Sequence, residues 1–155
     1  MTDNTRPPLD MAEVMRKYAV WEAAAARLVP DNKQRLFTFL ASVPITRVIV
    51  TFDGEGDSGQ IEDIQPYNGD TLIDLPKGKL AFLDLPYGDA QPKQRKFSAG
   101  EALEYLAYDL LQQEHAGWEN SDGAYGEFTF DVTAGAITLD YNERFMSSEH
   151  HQYSL

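Results

Sequence analysis

The sequence contains no cysteine, which excludes disulfides, thiolate zinc sites and cysteine nucleophiles. The missing thiols also fit a reducing compartment, and the expected location is cytoplasmic. No apolar run approaches the roughly 20 residues needed to span a bilayer. The opening MTDNTRPPLD lacks the charged-then-apolar layout of a secretory signal. Cations are the third shortage. Lys and Arg number 13 against 25 Asp and Glu, a net charge of −12, which argues against general affinity for nucleic acid or anionic lipid. They are also missing locally. Residues 50–76 hold seven acids and no Lys or Arg, and residues 98–143 hold ten acids and again none. All 13 cations fall in the remainder, so the N-terminal helices and the Lys77–Lys96 segment are basic while the sheet-forming parts are mostly acidic.

What is present fits one folded domain. A hydrophobic share of 43% with 18 aromatic residues is enough for a packed core in a chain of 155 residues. Pro7-Pro8 blocks regular structure, so residues 1–9 read as a disordered lead-in, residues 10–145 as a single α+β domain, and residues 146–155 as a polar tail. Asp10 with Glu13 resembles a capping box, and Val14, Tyr18, Trp21, Ala25 and Leu28 recur on one helical face. Pro30 ends that helix or links it to the next. Asp31 with Gln34 supplies a second cap, for a shorter helix that buries Leu36, Phe37 and Leu40.

Arg47–Asp53 then reads as a strand with Val48, Val50 and Phe52 on one face, Gly54–Gly59 as a loop and Gln60–Gln65 as the returning strand. Leu72–Leu75 and Leu80–Leu85 flank Pro76-Lys77-Gly78 and suggest a second, short hairpin, leaving Tyr87–Lys96 as polar loop. Ser98 and Glu101 make the best helix start in the chain. Leu103, Leu106, Ala107, Leu110 and Leu111 form the buried stripe of that helix, with Glu101, Glu104, Tyr105, Tyr108 and Asp109 outside.

The clearest strands come last. Phe128, Phe130 and Val132 alternate with Glu127, Thr129 and Asp131, and Ile137, Leu139 and Tyr141 alternate with Thr138, Asp140 and Asn142. The Thr133–Ala136 link with its Gly makes an antiparallel hairpin. The expected register sets Phe130 against Leu139, Thr129 against Asp140, Asp131 against Thr138 and Glu127 against Asn142, so that no two carboxylates are directly opposed. The architecture predicted from all this is α+β: an antiparallel sheet of four or more strands built from hairpins, with helices packed on one face. The other face would be at least partly open and would display Thr51, Asp53, Glu127, Thr129, Asp131, Thr138 and Asp140.

Catalytic signals are weak by comparison. Gly56-Asp57-Ser58-Gly59 resembles the string around the nucleophile of trypsin-like proteases, but His115, His150 and His151 all follow Ser58 and the chain is too short for two barrels. Asp53, Glu55 and Asp57 alternate like the start of a calcium loop, yet Gly falls at the seventh position instead of the sixth and Ile64 stands where a bidentate Glu is needed. No metal or other cofactor is expected. Glu119, Asp122, Glu127, Asp140 and Glu143 gather around the loop before the last hairpin and would suit hydrolytic chemistry if one of them were desolvated. Within Trp118–Gly126, Trp118 and Tyr125 either plug the end of the sheet or project as partner anchors. Arg144, placed among acids, is expected to pair with Asp140 or Glu143.

The strings VTFDGEGDSGQIEDI, ALEYLAYDLLQQEHAGWE and DGAYGEFTFDVTAGAITLDYNER resemble a family of short acidic proteins of unknown function from alphaproteobacterial plasmids and phages. The resemblance covers residues 46–65 and 98–145 and implies no activity, catalytic residue or cofactor. It implies a context, since small acidic proteins of mobile elements are often inhibitors of host defence, anti-CRISPR proteins among them. The functional expectation is therefore a non-enzymatic protein-binding module. Its partner is a basic protein surface, such as a nucleic-acid-binding defence complex, with no direct nucleic acid or membrane contact. The residues expected to meet that partner are Asp53, Trp118, Asp122, Tyr125, Glu127, Asp131 and Asp140. The alternatives are a hydrolytic enzyme with a carboxylate or divalent-metal site, and a homodimeric structural protein.

Overall fold

The computed structural model of the chain describes residues 10–55, 58–118, 123–145 and 148–155. Helices α1 (Met11–Ala26) and α2 (Val29–Leu40) precede strands β1 (Arg47–Glu55), β2 (Ser58–Asn68) and the two-residue β3 (Thr71–Leu72). Strands β4 (Lys79–Asp84) and β5 (Lys93–Ser98) lead into α3 (Ala99–Glu114), and β6 (Ala124–Asp131) and β7 (Ala136–Glu143) close the fold. Five strands form an antiparallel sheet in the order β3-β2-β1-β6-β7, and β4 pairs with β5 in a separate two-stranded ribbon. The α+β class with helices against the sheet is as the sequence predicts.

Alternation along the strands sends Val48, Val50, Phe52, Phe128 and Phe130 to one face, where all are buried with Leu36, Leu40, Leu103 and Leu106 of α2 and α3. Phe130 meets Phe37 at 6.3 Å between ring centres, and Phe52 stands edge-on to Trp118 at 5.5 Å. Each such large apolar side chain contributes about 1.5–3 kcal/mol on burial. At the start of α3 the Ser98 side chain accepts from the Glu101 amide while the Ser98 amide donates to the Glu101 carboxylate. The same two bonds hold the Glu101 carboxyl below the ordinary glutamate range.

Four expectations are corrected. The Leu72–Leu75 and Leu80–Leu85 runs do not pair with each other. Leu72 pairs with Tyr67 of β2, and β4 pairs with Lys93–Ser98, which reads as loop because four of its six residues are exposed and polar. Of the two roles open to Pro30, the second holds, since it sits in the first turn of α2 just after α1, where its missing N–H costs nothing; the expected Asp31 cap does not form, and Asp31 bonds Arg35 at 3.4 Å. No residue of α1 is buried, and Val14 and Tyr18 of its apolar stripe are exposed. Periodicity reveals which face is apolar, not whether anything covers it.

The fourth concerns the register of the last hairpin. Phe128, not Phe130, faces Leu139; Phe130 faces Ile137, and Glu127 faces Asp140 directly. The turn tightens around Val132–Gly135: the Asp131 carboxylate accepts from the Ala134 amide at 3.0 Å and Gly135 adopts φ 65°. A two-residue shift keeps every side chain on its own face but changes its opposite number.

Candidate functional site

Helices α2 and α3 and the β4–β5 ribbon gather on the Val48/Phe130 face of the large sheet, and the alternate residues lie on the other face, half-buried or exposed. Pairing through β1 arranges that outer face as four rungs: Gln60–Asp53–Tyr125–Asn142, Asp63–Thr51–Glu127–Asp140, Gln65–Ile49–Thr129–Thr138 and Tyr67–Arg47–Asp131–Ala136. The expected seven outer residues are all on it. Adjacent strands in a sheet lie about 4.8 Å apart, so carboxylates on one rung sit close enough to repel.

The two outermost rungs are clamped by arginines. Arg144 pairs with Asp53 at 2.8 Å, donates to the Gly54 and Ala124 carbonyls, and lies 4.7 Å over the Tyr125 ring. Its partner is therefore Asp53 instead of the expected Asp140 or Glu143. At the other end Arg47 stacks 4.7 Å over Tyr67, reaches Asp70 at 3.8 Å and stands opposite Asp131. The second rung has no such clamp: Asp63, Glu127 and Asp140 form no ion pair among the described residues. Asp63 and Asp140 are exposed and Glu127 is half-buried between its neighbours.

Of the seven residues expected to meet a partner, Glu127, Asp140 and the exposed Tyr125 are presented on this face. Asp131 shares it but is committed to its turn, and Asp53 to Arg144. Trp118 takes the first of its two roles: it is buried, against Phe52 and Tyr108. Asp122 lies outside the described residues, as do Glu119 of the carboxylate set and Gly56 and Asp57 of the glycine-rich loop. Among the described residues no group of three or more His, Cys, Asp or Glu is disposed to hold a metal ion, and no helix is long and apolar enough to cross a membrane.

Asp63 completes the acidic rung, and no strand alternation in the sequence marks it. A β-bulge between Thr51 and Phe52 shifts the β1–β2 register and makes the partner of Thr51 Asp63. Helical spacing puts Tyr105 and Asp109 on the outside of α3, whereas both are half-buried and face a cavity. Only the docking of α1 and β4 on that side of the helix reveals it.

These features define a small, strongly acidic α+β domain with one unroofed sheet face. The model of the family of unknown function DUF6878 matches residues 28–155, and the chain belongs to that family. The match takes in α2 and residues 66–97, beyond the strings that carry the resemblance, and leaves α1 outside. No curated protein and no solved structure matches the chain.

Proposed function

We propose that the chain is a protein-binding module that engages a basic protein surface through the outer face of its sheet. The observation that carries this reading is the Asp63–Thr51–Glu127–Asp140 rung: among the described residues, three carboxylates without ion pairs, on the face opposite to the one that α2 and α3 cover. Direct opposition of Glu127 and Asp140 is locally unfavourable, by roughly 0.2–1 kcal/mol. A lysine or arginine from a partner relieves that repulsion, so part of the cost of assembling the face returns on binding. The arginines at either end are taken up by Asp53 and Asp70 and leave the middle rung's acids to a partner, and exposed Tyr125 adds an aromatic contact at the rim. In its finer form, the partner is a nucleic-acid-binding complex of a host defence and the protein belongs to a mobile element. That form rests on the resemblance and on the complementarity between an anionic face and a surface built to hold phosphates.

The test is an affinity pull-down from the native host at two salt concentrations, with wild type and a Glu127→Gln/Asp140→Asn variant as baits. A partner held at low salt should be released by raised salt, and its association rate with the variant should fall about tenfold. Equal retention by both baits would remove the sheet face from the reading. Light scattering distinguishes self-association, in which exposed Lys93 and Lys96 of the β4–β5 ribbon meet the acidic face of a second copy.

A further inference from the structure

A second concentration of acids lies away from the open face. Between α1, the end of β4 and α3 is a cavity of about 230 Å³, lined by Trp21 and Glu22, by Asp84, and by Tyr105, Asp109 and Gln113. It is smaller than the 300–1,000 Å³ typical of drug-sized ligand sites. Its lining holds three carboxylates and no Lys or Arg.

The Tyr105, Trp21 and Asn32 donors of the cavity are already engaged, whereas the Tyr18 hydroxyl and the Gln112 and Gln113 amides make no hydrogen bond among the described residues. The Tyr105 hydroxyl donates to Asp84 Oδ1 at 2.6 Å, and Arg95, from outside the lining, reaches Asp84 Oδ2 at 3.1 Å. The Trp21 indole N–H donates to the Leu85 carbonyl at 2.8 Å and its ring meets those of Tyr18 and Tyr87 at 5.3 Å each, so the cavity's aromatic wall is fixed and has no indole donor left to offer. Buried Asn32 spends its side chain on both backbone groups of Leu83, at 2.8 Å each. Asp109 is half-buried and has neither a hydrogen bond nor an ion pair among the described residues. A carboxylate shielded from water and without a donor favours a ligand that brings one.

We propose that this cavity binds a small aliphatic ammonium ion, with Asp109 as its counter-ion and Trp21 as the aromatic wall against which the cationic end rests. The lining discriminates against the other ligand classes. An anion would meet three carboxylates. A hard metal ion needs six or more oxygen ligands, and aromatic walls supply none. An alkylammonium group matches both halves of the site, since its N–H groups satisfy the carboxylate and its charge is attracted to the ring face. Trp21 belongs to α1, outside the family-matched segment, whereas Asp84, Tyr105 and Asp109 lie within it. The site therefore exists only where α1 docks on the family body.

Titration calorimetry with putrescine, and with uncharged 1,4-butanediol of the same chain length, tests the assignment. Putrescine should bind saturably with one site per chain and the diol should not. Asp109→Asn should weaken putrescine by about tenfold or more, the range for losing a charge-assisted contact, while Asp63→Asn/Asp140→Asn should leave it unchanged. In proton–nitrogen spectra the Trp21 indole resonance should move along the titration and that of Trp118, on the other side of α3's core contacts, should stay in place. The proposal is overturned if putrescine does not saturate, if the diol binds as well, if the Asp109→Asn variant binds like wild type, or if the Trp21 signal is unmoved. Its failure leaves the sheet-face reading untouched, because the two acid sets share no residue.

Discussion

Asp63, Glu127 and Asp140 on the one hand and Asp84 and Asp109 on the other carry the same formal charge in different media. The first three stand on a sheet face bathed by water, where their field reaches outward over roughly the Debye length of about 8–10 Å and is weakened by salt. The second pair lines a cavity under Trp21. Burial first, and the Asp84 carboxylate second, push the Asp109 carboxyl up to about 6 from its ordinary 3.8. The net charge of −12 is thus not one property. Part of it is a field on a solvated face, and part is held in a shielded cavity, where Asp84 is already paired with Arg95 and Asp109 has no ion pair among the described residues.

The most damaging way to break the comparison is Gly126→Ala. This position has no left-handed backbone; it needs glycine for space, because a Cβ there would meet the Asp140 carbonyl and the Phe52 ring. Forcing β7 away should cost about 3 kcal/mol or more, read as a lower denaturant midpoint. Hydrogen exchange should speed up at the β7 amides, while the Leu83 amide, bonded to Asn32 beside the cavity, keeps its protection. An unchanged midpoint would mean the strand pair has slack that the close approach denies.

Asp109→Asn acts on the other member of the comparison. A carboxyl whose folded pKa lies above its unfolded one contributes stability that is present below pH 3.8 and lost as pH rises through about 6. The asparagine variant escapes that loss. Its melting temperature should match wild type near pH 3.5, draw ahead between pH 4 and 6, and keep above pH 6 a constant advantage of about 2 kcal/mol, allowing for residual exposure. A pH-independent difference would contradict the desolvated-acid account. The smallest effect is Glu127→Gln on the open face. Relief of its opposition to Asp140 should stabilise the fold by about 0.5 kcal/mol or less, a gain that shrinks in salt. A large or salt-insensitive change would show that this face is less solvated than its geometry indicates.

Much of the fold is legible in the sequence because its signals are local. The Ser98/Glu101 cap, the alternation along β1, β6 and β7, and the face to which each outer residue belongs all follow from period and composition. What is not legible depends on chain segments meeting at a distance. β5 hides because only Phe97 of its six residues is buried, so no alternation can be read. The Glu127–Asp140 opposition turns on how many residues the Val132–Gly135 turn consumes, which Asp131 decides by bonding Ala134. The cavity acids are invisible for a third reason. Asp109 lies on the polar side of α3 by every helical count, and becomes enclosed only because α1, tied by one indole hydrogen bond, folds back over it.

The position of β7 has a consequence for solubility. It is the eight-residue edge strand of the large sheet as the described residues form it. Such an edge is a template for stacking further chains into fibrils unless something repels them. Exposed Asp140 and Glu143 place negative charge along it, so identical chains approaching edge to edge meet like charge before they meet open amides. Charge on this strand thus opposes edge-to-edge stacking of identical chains.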